Sequence, residues 1–173
     1  MNKRSVWLCT AALFAALTAV GSWISVPSAV PFTLQSFIVY LMLLLLPPAC
    51  SLLSIAVYLF LGAVGLPVFA GFQGGLSVLF GPLGGFLWGF LGMALIFRLW
   101  NPKTSRTRLI CAVVGTLLCY ALGTVQYTLY TAPTLEGFVS ALLFTVVPFV
   151  VVDALKLLLA WQIAERLRPR LPL

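Results

Sequence analysis

The run from Phe32 to Leu66 carries no charge and is broken at its middle by Pro47-Pro48. It is too long for a single crossing of a bilayer, which needs roughly 20 apolar residues. Proline cannot continue a helix without losing a hydrogen bond, so the run predicts a hairpin of two segments, 32–46 and 49–66. Further apolar segments lie at 5–26, 83–100, 108–131 and 148–166, with a shorter one at 135–147. They are continuous rather than alternating, which points to helices and away from a transmembrane barrel. Of the 173 residues 62% are hydrophobic and 8% charged, and the mean hydropathy is +1.15, outside the range of soluble domains. The expectation is an all-α membrane protein forming one transmembrane domain over residues 1–173. Lys3 and Arg4 ahead of the first apolar segment resemble the start of a signal peptide. With no clear small-residue cleavage site followed by a soluble chain, the segment is read as the first membrane helix.

The basic residues report topology. With the N-terminus in the cytoplasm and six spans, nine of the ten Lys and Arg residues fall on the cytoplasmic side, in the N-terminus, the 98–108 loop and the 166–170 tail. The tenth, Lys156, lies within the last apolar segment. Were 32–66 a single span, the 98–108 loop would face outside and the asymmetry would be lost. Six transmembrane helices with both termini cytoplasmic are therefore expected. The outer connections 27–31, 67–82 and 132–147 carry only Glu136. Thr134 as a cap and Glu136 in the first turn predict a short helix over 135–147, lying at the outer surface rather than kinked at Pro148 into the last span.

The net charge of +7 does not indicate nucleic acid, because the bases sit on no soluble domain and are not interleaved with exposed aromatics. With no histidine and no CxxC, a metal site is not expected. Cys9, Cys50, Cys111 and Cys119 all fall in apolar segments and read as small buried hydrophobes. No GxxxxGK[ST] motif occurs, so the chain carries no P-loop of its own.

Asp153 and Lys156 stand three residues apart, on one face of a helix, within an apolar run. An isolated charge at bilayer depth costs roughly 2.5–3.5 kcal/mol, so the pair either neutralises itself or holds a ligand. For a helix starting near Pro148 they lie about 8 and 12 Å along its axis. Residues 65–85, GLPVFAGFQGGLSVLFGPLGG, hold half of the fourteen glycines. A loop so apolar is expected to dip toward the membrane, either as a packing element or with free amides for a ligand. Gly81, Gly85 and Gly89 recur every four residues, as do Ala11, Ala15 and Ala19 with Ala12 and Ala16 beside them. Such strips let another helix approach, inside the protein for the glycines and either inside or between subunits for the alanines. Gln126, Thr33, Gln35 and Gln73 are further polar candidates, although a lone Gln or Thr in a membrane helix more often bonds a neighbouring helix.

VPFTLQSF at 30–37, LGAVGLPVFAGFQGGLSVLFGPLGGFLWGF at 61–90 and PFVVVDALK at 148–156 together resemble the BioY family, the biotin-binding S components of energy-coupling-factor transporters. The resemblance covers nearly the whole chain. It implies a six-helix S-component fold, capture of biotin from outside, and association of the first-helix strip Ala11, Ala15, Ala19 with a transmembrane T component and two ATPase subunits. Biotin presents a urea with two N–H donors and a carbonyl, a thioether ring and a valerate carboxylate. Asp153 and Lys156 match the urea; Phe72, with other loop side chains, suits the ring and chain; the amides of Gly74 and Gly75 suit the carboxylate; Gln73 and Gln35 complete the candidate set. A competing pose sets Lys156 against the carboxylate. No covalent chemistry or cofactor is called for. An S component for riboflavin or thiamine, or a membrane enzyme using the Asp–Lys pair, are the rival readings; the second has few acid–base groups to work with.

Overall fold

The structure, a computed structural model, describes residues 2–26 and 32–170. The expected connection 27–31, with Val30 and Pro31 of the first motif, lies outside the described residues. The helices are α1 (Lys3–Trp23), α2 (Gln35–Leu45), α3 (Pro48–Ala63), the single turn α4 (Leu76–Leu79), α5 (Gly84–Trp100), α6 (Ser105–Thr131), α7 (Leu135–Thr145) and α8 (Val147–Leu167). A two-residue antiparallel pair, β1 (Ser25–Val26) with β2 (Phe32–Thr33), joins α1 to α2 in the register Ser25 opposite Thr33. Among the described residues three helices are long and apolar enough to cross a membrane: Arg4–Trp23, Ser105–Thr131 and Val147–Arg170. The apolar helices α2, α3, α5 and α7 are shorter, at 11, 16, 17 and 11 residues.

Local chemistry sets the boundaries. α2 stops at Leu45 and α3 restarts with Pro48 in its first turn, where a missing N–H costs nothing, so the expected break at Pro47-Pro48 is present. Thr104 caps α6 with a reciprocal capping box to Thr107. Thr134 caps α7 by accepting from the Gly137 amide at 3.0 Å, with Glu136 in the first turn. α7 is a helix in its own right: Val146 separates it from α8, which begins at Val147 with Pro148 in its first turn.

α5 and α6 form the tightest pair. A Cβ on Gly85 would run into the Leu122 carbonyl, and one on Gly89 into Cys119, so both positions admit only glycine. The expected glycine strip is thus an internal seam. Gly81 is not part of it and turns the chain between α4 and α5, where a Cβ would meet the Ser77 carbonyl. Cys50, Cys111 and Cys119 are buried as expected, but Cys9 is on the exposed face of α1.

The alanine strip on α1 corrects an expectation. Ala11, Ala15 and Ala19, assigned by resemblance to a partner surface, are only 2%, 2% and 6% exposed and form part of the protein's own core, with α1 packed on α2 and α3. Ala12 and Ala16, one residue and about 100° further round the helix, are exposed instead. Phe14 and Thr18 are buried beside the strip, which fixes the inward face.

Candidate functional site

A cavity of about 460 Å³ opens between α2, α5, α6 and α8 and is covered at one end by the loop Phe69–Gln73. Its size is in the range of small-molecule sites, roughly 300–1,000 Å³. Phe69, Phe86, Leu87, Phe90, Met93 and Phe149 supply an apolar wall. Against it stands one polar cluster, placed by helical spacing on three helices: Ser36 and Tyr40 on α2, Thr116 and Tyr120 on α6, and Asp153 and Lys156 on α8. Residues three or four apart share a face, so each helix turns two polar groups to the same space.

The bonds within the cluster are nearly closed. Lys156 Nζ donates to the Thr33 carbonyl at 2.8 Å, to Ser36 Oγ at 2.9 Å and to Asp153 Oδ1 at 3.2 Å. These account for all three N–H donors of an ammonium group. Ser36 Oγ donates in turn to Asp153 Oδ1 at 3.0 Å, and the Tyr120 hydroxyl donates to Asp153 Oδ2 at 2.8 Å. A carboxylate has about four acceptor positions, so Asp153 keeps one open, on Oδ2. Thr116 Oγ1 donates to the Ala112 carbonyl at 2.8 Å and pairs with the Tyr40 hydroxyl at 3.2 Å, leaving the Tyr40 oxygen able to accept. Gln35 donates from Nε2 to the Tyr58 hydroxyl at 2.9 Å. Among the described residues, what remains free on this wall is mainly acceptor capacity, with the second N–H of Gln35 as a donor.

Of the residues singled out from sequence, Asp153, Lys156, Thr33, Gln35 and Gln73 border this cavity together. Phe72, Gly74 and Gly75 do not. Phe72 adopts φ 58°, is 64% exposed and stacks on Trp23 with ring centroids 5.2 Å apart. The Gly75 amide is already bound to the Gly62 carbonyl at 2.7 Å, and a Cβ on Gly74 would strike the Leu66 carbonyl. These two glycines close the loop on itself, and Gly75, at φ 98°, needs the left-handed freedom of glycine. Gln126 donates to the Leu79 carbonyl at 3.1 Å, a helix-to-helix bond of the ordinary kind. Sequence reasoning missed Ser36, Tyr40, Thr116, Tyr120 and Phe149. The signal was present in the four-residue spacings 36/40, 116/120 and 149/153, each a polar or aromatic pair on one face of an apolar helix.

A helical membrane protein with a partly open, largely apolar cavity and one pre-bonded polar cluster is built to hold a small ligand. The whole chain, residues 1–173, matches the sequence profile of the BioY family. The biotin transporter BioY of Thermotoga maritima is 42% identical over 164 residues, covering 93% of this chain and 95% of that protein. The probable biotin transporter BioY of Pyrococcus horikoshii is 42% identical over 158 residues, covering 91% and 93%. The crystal structure of the S-component for biotin from an ECF-type ABC transporter superposes with a TM-score of 0.79 at 23% identity, over 98% of this chain and 94% of that one, which establishes the shared fold. The chain belongs to the BioY family, whose members named here are transporters and not enzymes.

Proposed function

We propose that this chain captures biotin and serves as the substrate-specific S component of an energy-coupling-factor transporter in the cell membrane. The observation that carries the reading is the open acceptor position on Asp153, held on the wall of an apolar cavity by Ser36, Lys156 and Tyr120. A urea presents two N–H donors side by side. One meets Asp153 Oδ2, the other finds an accepting phenol oxygen at Tyr120 or Tyr40, and the free N–H of Gln35 serves the urea carbonyl. Lys156, its donors already committed, acts by fixing Asp153 and Ser36. The same saturation argues against the pose that sets Lys156 on the carboxylate. The thioether ring and methylene chain lie against Phe86, Phe90 and Phe149.

In this reading α1, α2, α3, α5, α6 and α8 are the six spans, both termini are cytoplasmic, and the cavity opens outward beneath the 69–73 loop. That topology is supported by the nine bases it assigns to the inner side. Lacking a P-loop, the chain draws on two partner ATPase subunits and a transmembrane T component for the energy of release. The exposed face of α1 carrying Ala12 and Ala16 is the surface offered to them.

The test is equilibrium binding of labelled biotin to purified protein, beside Asp153→Asn and Lys156→Ala. Saturable binding that unlabelled biotin displaces, weakened about tenfold or more in both variants, supports the reading. A folded wild-type protein that fails to bind biotin refutes it, and binding of riboflavin or thiamine in its place would reassign the substrate.

A further inference from the structure

Thr145, the last residue of α7, borders the cavity, is 1% exposed, and its hydroxyl has no hydrogen-bond partner among the described residues. That sets it apart from most helical hydroxyls of the chain. Those of Thr10, Thr18, Ser54, Thr116, Thr128 and Thr131 each donate to the carbonyl four residues back. This is the usual way to satisfy a hydroxyl in an apolar helix. Thr145 has the Ala141 carbonyl in the same relation and does not use it. A hydroxyl removed from water and left unpaired is destabilising, and valine would fill its place without that cost.

Its position separates it from the Asp153 cluster. Between them α8 rises from Val147 to Asp153, about 9 Å. The Asp153 end offers mainly acceptors, with the Lys156 donors already committed, which suits N–H donors and leaves a carboxylate little to bind there. The cavity's other polar side chains outside that cluster, Ser25, Thr33, Gln35 and Gln73, are neutral and able to donate.

We infer that the Thr145 hydroxyl is a ligand contact that donates to the carboxylate of the bound molecule, at the end opposite the urea. The inference rests on the biotin reading and assigns the second anchor of that ligand. Biotin carries its carboxylate on a methylene chain of suitable reach, and rotation about χ1 turns the hydroxyl toward it. Because that hydroxyl is already out of water, only the carboxylate has hydration to lose when the bond forms. A bond to a charged acceptor is of the stronger kind.

The experiment measures binding of biotin, and of an analogue with the urea bicycle intact but a methyl group in place of the carboxylate, to wild type, Thr145→Val and Thr145→Ser. Thr145→Val is expected to bind biotin about tenfold or more weakly, and the methyl analogue as wild type does. Thr145→Ser, which keeps the hydroxyl, retains biotin affinity to within about threefold. Ligand-free Thr145→Val melts at or above wild type, since an isosteric apolar group replaces an unsatisfied hydroxyl. Undiminished biotin binding by Thr145→Val, or equal loss of both ligands, overturns the inference and leaves the biotin reading standing. Failure of wild type to bind biotin brings down both.

Discussion

Replacing Lys156 by Met removes the cation from the cluster while keeping a side chain of similar length. At 3.2 Å and an effective dielectric of about 20, the direct attraction between Lys156 and Asp153 is about 5 kcal/mol. Asp153 would keep its bonds from Ser36 and Tyr120, at 3.0 and 2.8 Å, and these hold part of the uncovered charge. The expected loss of stability is therefore about 3 kcal/mol, the lower end for breaking a buried pair by removing one partner. By the scaling of soluble domains of this length that is roughly 6–12 °C in unfolding midpoint. Asp153→Asn combined with Lys156→Met leaves two neutral side chains, so the double variant should recover at least about 1 kcal/mol relative to the sum of the single changes. The assay is thermal unfolding of ligand-free protein in one detergent, for wild type, both single variants and the double variant. Biotin binding is read alongside, because the double variant is expected to regain stability without regaining affinity. A Lys156→Met protein as stable as wild type, or strictly additive single effects, would refute the claim that the cluster is one coupled unit.

Tyr120→Phe keeps the ring on the cavity wall and deletes the donor to Asp153 Oδ2; biotin affinity should fall about tenfold or more, measured by titration. Phe32 and Phe149 stack with centroids 4.1 Å apart at the cavity edge, and Phe32→Ala should raise the biotin dissociation rate about threefold to tenfold in a stopped-flow chase. Gly85→Val places a branched side chain against the Leu122 carbonyl, a backbone atom with no rotamer to escape into, and the yield of folded, monodisperse protein should collapse in size-exclusion chromatography.

Much of the scaffold was legible because it depends on local chemistry. Pro47-Pro48 ends one helix and starts another whatever surrounds it, and Thr134 caps α7 through an amide three residues away. Asp153 and Lys156 stood out because charge is costly in an apolar run. What spacing cannot supply is the facing partner. Ser36 and Asp153 are 117 residues apart in the chain, and nothing local to either announces the bond. The same limit explains the alanine strip: a four-residue period marks Ala11, Ala15 and Ala19 as one face, but only packing against α2 and α3 decides that this face turns inward. Phe72 was misread for a related reason. An aromatic residue in a glycine-rich loop suggests a cavity wall, whereas the left-handed turn there sends the ring to Trp23.

The seam between α5 and α6 carries a consequence for motion. Where Gly85 and Gly89 meet Leu122 and Cys119, one helix leans on the other almost without intervening side chains, so no set of rotamers can shear to let them slide. The two helices are geared to move as one plank. Rearrangements that admit or discharge cargo then fall to other joints, such as the single residue Val146 between α7 and α8 and the 64–75 loop, moored to α1 by the Trp23 bond to the Pro67 carbonyl at 2.8 Å.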